Sequence, residues 1–466
     1  MESLNLNKPI ISIDPKDLGS ETFKKDFNLK FAYFSGAMYR GIASKELVVK
    51  MGLAGFMGFL GTAGLTLDQI ERDIDFIQKS LDKGQSYGMN LLCHLDKPDI
   101  EINHIELFLK KGITCIEAAA FMQMTPSLVL YHLKGLKESD SGAIIVSNKI
   151  IAKVSRPETA AAFMSPAPKL IVDKLLSENK ITSLQAALSQ KVPMSNNICL
   201  EADSGGHTDQ GKALVLLPAI KNLRDEIIKK EAYLNKINIG LAGGIGSPEA
   251  IAAAFIMGAD FICTGSINQC TVEAGTSDTV KDMLQTINIQ DTDYAPAGDM
   301  FKIGARVQVL KKGTFFSARG NKLFMLYNHY DSIDDIPEKI RVQIQEKYFL
   351  KSFDEIFRDA QNHLRETGRS DDALKAETDE KYKMELIFCW YFHNSMKIAF
   401  EGDVSKKINF QIHTGPALGA FNQSVKGTAL EKWNNRHVDH IANKLMNEAA
   451  LLIDQSIKKI NKKRYI

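Results

Sequence analysis

Between residues 31 and 264 the chain alternates short apolar runs with amphipathic stretches eight times, and few folds accept that count. The strand-like runs fall at residues 31–34, 54–59, 88–93, 114–120, 149–154, 197–201, 237–242 and 260–264. Runs apolar on both sides suit parallel strands covered by helices on each face. Eight of them, each followed by a helix, over roughly 250 residues is the arithmetic of a (β/α)8 barrel. An open doubly wound sheet would place Gly-x-Gly-x-x-Gly after its first strand. Here Ser35-Gly36-Ala37-Met38 stands there instead. The expected class is therefore α/β, a TIM barrel.

Two departures from a bare barrel are visible. Residues 155–196 exceed one connecting helix and hold helical patterns at 157–164, 169–177 and 183–189, so a helical insertion follows the fifth strand. Read as a loop on the catalytic face, the segment from about 165 to 195 is expected to form a lid. After residue 289 period-two strand patterning ceases, residues 307–310 reading as a brief strand or a helix start, and from about Asp331 the chain turns helical and charged. The expected domains are a barrel over 1–329 and a C-terminal helical appendage over 330–466, packed on the barrel.

The totals exclude several classes. The 58 basic and 56 acidic residues are well mixed and leave a net charge of +2, so no nucleic-acid surface is implied. Only the tail, Lys458-Lys459 and Lys462-Lys463-Arg464, is markedly basic. Six cysteines without a Cys-x-x-Cys pair read as reduced thiols in a cytoplasmic protein. Residues 51–67 carry no charge but are too short and too glycine-rich to span a membrane, and residues 1–17 do not read as a signal peptide. No metal site is expected.

Candidate chemistry gathers at the C-terminal ends of the strands. The seventh ends in Gly243-Gly244-Ile245-Gly246-Ser247-Pro248-Glu249, with Ser247 a good helix N-cap and Pro248 suited to the first helical position. The eighth ends in Thr264-Gly265-Ser266. Two glycine turns on neighbouring strands, with a helix N-terminus beside them, make a cradle of backbone N–H groups for a phosphate. The sixth strand runs into Glu201-Ala202-Asp203-Ser204-Gly205-Gly206-His207. Its glycines let backbone approach a flat or anionic ligand, and His207 is placed to act as a proton donor. Asn90 offers a donor and an acceptor to a heterocycle, and Lys153 a positive charge to a reduced ring. Glu201 reads either as an acceptor for ligand hydroxyls or as the partner of Lys153. Phe56, Met57, Phe59, Phe121, Met122 and Met124 are candidates for an acyl channel, with a core role the competing reading.

Gly36-Ala37-Met38, Gly88-Met89-Asn90, residues 201–207, Gly243-Gly244 and Thr264-Gly265-Ser266 resemble the FMN barrels related to 2-nitropropane dioxygenase and the flavin-type enoyl-acyl-carrier reductases. More closely, residues 201–209, 264–269, 272–278, 295–301 and 415–422 resemble the PfaD family, the trans-acting enoyl reductases of polyunsaturated-fatty-acid and trans-acyltransferase polyketide synthases. That resemblance implies FMN as cofactor, NADPH as reductant and an enoyl thioester on acyl carrier protein as substrate. Its implied partners are the other proteins of such a synthase; whether the chain also forms a homodimer is left open. By position it puts the phosphate on Gly243, Gly244, Gly265 and Ser266, with Thr264 beside them in the cofactor set, and Gly36, Ala37, Met38 and Asn90 against the ring. Lys153, Glu201, Ser204, Gly205 and Gly206 complete the cofactor set, and His207 is the catalytic histidine. A nitronate monooxygenase-like oxidase and a non-catalytic flavin-bearing docking protein are the alternatives. His413-Thr414 stand where the family carries an aromatic and a cysteine, and Ser424 where it carries tryptophan; lying in the appendage, these departures are expected to bear on partner choice.

Overall fold

The structure, a computed structural model, describes residues 13–94 and 97–462. Residues 1–12, which held most of the supposed non-signal segment, and Lys463-Arg464 of the basic tail lie outside it. The chain divides into two compact units. The first takes the described residues up to Ala202, then Gly211–Gly275, then Asn434 onward; the second takes Asp203–Gln210 and Thr276–Trp433.

The first unit is the barrel. Its strands are β1 (Tyr33–Ser35), β2 (Met57–Leu60), β3 (Gly88–Leu92), β4 (Cys115–Ala119), β5 (Lys149–Val154), β6 (Asn197–Glu201), β7 (Asn238–Ala242) and β8 (Ile262–Thr264). All neighbours are parallel, and β1 closes the ring by pairing with both β8 and β2. Inside lie Phe34, Met57, Phe59, Ile151, Cys199 and Phe261, all fully buried, with the Phe34 and Phe59 rings edge to face. Phe56, Met57 and Phe59 are thus core residues and line no acyl channel. Phe121 is buried against Phe163, and of the six candidates only Met122 is exposed.

The inserted helices Lys169–Ser177 and Ser183–Ser189 do not form a lid. They pack on the helix Pro126–Lys134, and the second also packs on Leu136–Glu138, a strand just before the start of β5. The reason lies in the preceding helix, Pro157–Met164, which carries the chain back to the opposite end of the barrel before the insertion begins. Ser195 then donates to the carbonyl of Ile150, near the start of β5.

The last helix, Val438–Lys462, packs against Lys45–Leu53 and Pro248–Ile256, the helices that follow β1 and β7. That is the place of the eighth barrel helix. Glu273, after β8, pins its start by accepting from the Val438 amide at 3.2 Å and pairing with His437 Nδ1 at 2.6 Å. The boundary expected at 329/330 is therefore wrong at both ends: residues 330–433 belong with 276–329, and the final helix belongs to the barrel. Amphipathic periodicity reveals an apolar face without naming the core that covers it.

The second unit has its own sheet and core. Thr292–Pro296 pairs antiparallel with Arg306–Leu310, which pairs in turn with Gly206–His207. Thr292–Pro296 is thus a strand where strand patterning was expected to have ceased, while residues 307–310, open to a strand or a helix start, are strand. Helices Phe316–His329, Phe353–Glu366 and Glu380–Glu401 bury Phe316, Leu323, Ile356, Met384, Phe388 and Phe392. Among the described residues no helix is long and apolar enough to cross a membrane.

Candidate active site

At the C-terminal rim of the barrel, Gly243 and Gly244 both take left-handed backbone conformations, with φ of +82° and +74°. A Cβ on Gly243 would lie 2.3 Å from the Ala202 carbonyl oxygen, so that turn tolerates no side chain. A Cβ on Gly244 or on Gly265 would meet nothing within 4 Å. Both glycines therefore border open space. Ser247 accepts from the Ala250 amide and starts the helix Pro248–Ile256, as its sequence predicts, and Gly258 ends it with φ +86°. The positive end of this nine-residue helix, close to the glycines, favours an anion at this rim. Ser266 opens a short helix on the next strand's turn. The Thr264 hydroxyl is not free for a ligand: it is bonded to Tyr33 Oη at 2.5 Å and accepts from Asn268 Nδ2 at 2.9 Å.

Across the same unit three ionisable groups meet. Lys153 Nζ lies 3.6 Å from Glu117 Oε1 and 3.5 Å from Glu201 Oε1. Glu201 is thus a partner of Lys153, the second of the two roles open to it. Burial works against the Lys153 cation, but the two carboxylates outweigh it and hold its pKa well above the ordinary value. Burial pushes the Glu117 carboxyl up, and the Lys153 charge offsets part of that rise. Glu117 Oε2 also accepts from the Ala37 amide at 3.1 Å. Asn90 spends one donor on the Glu117 carbonyl, at 3.1 Å, and is 5% exposed. Met38 sits in the turn after β1, and a Cβ on Gly61 would fall 1.7 Å from its carbonyl oxygen, which fixes that turn against β2. Sequence reasoning missed Glu117. Its signal was an acid inside an otherwise apolar strand.

Ser204, Gly205, Gly206 and His207 belong to the second unit. Gly206 has φ +87°, and a Cβ on Gly415 would lie 3.1 Å from the Gly205 amide. His207 Nε2 is 2.9 Å from Asp299 Oδ1. Burial alone would raise the Asp299 carboxyl; the His207 hydrogen bond and charge outweigh it and hold its pKa below the ordinary carboxylate value. An ionised Asp299 only accepts, so His207 carries its proton on Nε2. Asp203 orients the same loop by accepting from Thr208, at 2.8 Å, and from Tyr294. Burial first, then that bond, raises the Tyr294 hydroxyl to about 12. Asp299 lies in a motif already noted, residues 295–301, to which no role was attached.

His413 corrects an expectation. Its ring centroid is 6.4 Å from that of His207, edge to face, so the departure at 413 borders the candidate acid as well as any partner surface. Burial lowers its pKa to about 4, and the His207 charge adds to the effect.

The nitronate monooxygenase model matches residues 21–312, and the inserted helical domain of [acyl-carrier-protein] S-malonyltransferase matches residues 330–410. The crystal structure of the enoyl reductase domain of MlnA, from the macrolactin cluster of Bacillus amyloliquefaciens, superposes with a TM-score of 0.92 at 47% identity. It covers 95% of this chain and 99% of that one. The polyketide biosynthesis protein PksE of Bacillus subtilis is 54% identical over 95% of this chain and 57% of its own length. The polyketide biosynthesis protein ThaF of Burkholderia thailandensis is 49% identical over 94% of this chain and 37% of its own. The chain thus spans little more than half of the first of these two relatives and less of the second. FabK of Thermotoga maritima, at 14% identity and a TM-score of 0.55, shares the fold. With the family model over residues 21–312 and the MlnA enoyl reductase domain matched along nearly its whole length, the chain belongs to the nitronate monooxygenase family and, within it, to the PfaD-type enoyl reductases.

Proposed function

We propose that this protein reduces α,β-unsaturated acyl thioesters held on acyl carrier protein, taking hydride from NADPH through FMN, in polyketide or polyunsaturated-fatty-acid synthesis. The observation that carries the reading is the pair of glycine turns after β7 and β8, where Gly244 and Gly265 border open space beside the start of the helix Pro248–Ile256. A phosphate monoester suits such a cradle of amides. FMN, when bound, supplies the hydride chemistry, and the protein supplies orientation and electrostatics.

The other roles belong to side chains of this chain. Lys153, kept protonated by two carboxylates, provides fixed positive charge for an electron-rich ring. Reducing the β-carbon leaves negative charge on the thioester oxygen and α-carbon. His207, its Nε2 proton held by Asp299, stabilises that charge or donates the α-proton. A synthase acyl carrier is the substrate-bearing partner, and the MlnA and PksE relationships support that choice.

The test is an absorbance spectrum of the purified protein reconstituted with FMN, followed by anaerobic NADPH. Bleaching that a crotonyl thioester reverses is the expected result. Bleaching reversed only by oxygen would favour the nitronate-oxidase reading. Binding of a carrier protein without turnover of any enoyl thioester would favour a docking role.

A further inference from the structure

Glu117 reaches three of the residues proposed to face the flavin. Its Oε2 accepts from the Ala37 amide at 3.1 Å, and its Oε1 lies 3.6 Å from Lys153 Nζ. Its carbonyl accepts from Asn90 Nδ2 at 3.1 Å, across the register that pairs Asn90 with Glu117. The residue is 1% exposed. A carboxylate so deep in a barrel is costly to desolvate and persists only with such partners. Glu117 stands on β4, three strands around the ring from β1, so its side chain crosses the barrel interior to reach the turn after β1. Gly36 makes the crossing possible: a Cβ there would lie 3.3 Å from Glu117 Oε2 and 2.7 Å from Cys263 Sγ.

We propose that Glu117 is a positioning residue, whose single carboxylate ties the Gly36–Met38 turn to the Lys153 cation so that amide and ammonium are presented to the flavin as one rigid set. The proposal rests on the flavin reading above and deepens it. Two carboxylates on one lysine are not redundant in this arrangement: Glu117 carries the link to β1, and Glu201 shares the charge.

The experiment compares Glu117→Leu and Glu117→Gln, reading amide hydrogen exchange at Ala37 in the apoprotein and FMN affinity by fluorescence quenching. Glu117→Leu removes the acceptor, and losing a hydrogen bond to a charged group corresponds to about tenfold or more in exchange rate. Ala37 should exchange at least that much faster, with FMN affinity falling by a similar factor. Glu117→Gln keeps an acceptor and should restore both most of the way. Unchanged exchange and affinity in Glu117→Leu would overturn the proposal, as would equal losses of affinity in both variants. Should Glu117→Leu fail to fold, Glu117→Gln decides alone: an Ala37 amide exchanging more than about tenfold faster there would overturn it. A wild-type protein that takes up no FMN would sink the flavin reading instead, and the link between turn and lysine would still be read from exchange.

Discussion

The two units carry their charges in opposite ways. In the barrel, Glu117 is 1% and Lys153 15% exposed, and the lysine is shared by two carboxylates. In the second unit, His207 and Asp299 face solvent, with side chains 48% and 63% exposed. The buried Lys153 cation is held in its charged form, because losing its proton would leave two carboxylates uncompensated in a medium of low dielectric. An exposed histidine–carboxylate pair keeps its proton within reach of solvent. On the reading proposed above, the barrel's cluster holds charge and His207 supplies a proton.

The sharpest way to break that division is His207→Ala. If the second unit supplies the acid, steady-state enoyl reduction should fall by ~10²–10⁴-fold while flavin content stays at the wild-type level. Asp299→Asn should lower turnover less, since the imidazole remains while its fixed tautomer is lost. Unaltered turnover in His207→Ala would remove the second unit from the chemistry.

The next effect is on stability. Lys153→Met leaves Glu117 and Glu201 without their shared cation, and breaking a buried pair from one side typically costs about 3–5 kcal/mol. The loss should shrink as pH falls, because protonating the orphaned carboxyls removes the charge. Thermal unfolding of the variant at acid and neutral pH checks both points. Removing Asp299, exposed as it is, should move the melting temperature little.

How much of this was legible in the sequence depends on whether the signal was local. Eight apolar runs with helices between them read directly as the barrel, and β5 and β6 fall where expected. The helix after β7 was legible to its caps, Ser247 and Gly258, since caps are local chemistry. The Glu117–Lys153 and His207–Asp299 pairs were not. Each joins residues 36 to 92 positions apart, and pairing over that distance is decided by packing. The same limit misplaced the final helix: its apolar face was plain, but the partner helices Lys45–Leu53 and Pro248–Ile256 lie far upstream in the chain.

A third measurement sets the units against each other through pH. Burial lowers His104 and His132 of the barrel, and His413 of the second unit, to about 4. A folded-state pKa below the unfolded value near 6.5 means the folded form resists protonation. The stability these histidines lend is complete above about pH 6.5 and is lost as pH falls from there towards about 4. For His132, 2% exposed, the loss is roughly 3 kcal/mol at most. Melting temperature should therefore drop across this window, and His413→Gln should flatten the drop by about one proton's share. If that variant leaves the slope unchanged, the acid sensitivity belongs to the barrel alone.

The smallest effect asks whether the barrel rim holds the anion. Gly244 and its neighbour are both left-handed, but only at Gly244 does a methyl group enter open space; at Gly243 it would strike the Ala202 carbonyl. Gly244→Ala should therefore cost only the backbone penalty, about 1–2 kcal/mol, and leave a folded protein. Its methyl would occupy the space bordered by the cradle, so FMN affinity should fall by more than the stability change alone explains. Riboflavin, which lacks the phosphate, should bind wild type and variant alike. A variant that distinguishes neither ligand would move the phosphate away from these turns and leave the barrel with a fixed charge cluster but no anion to set beside it.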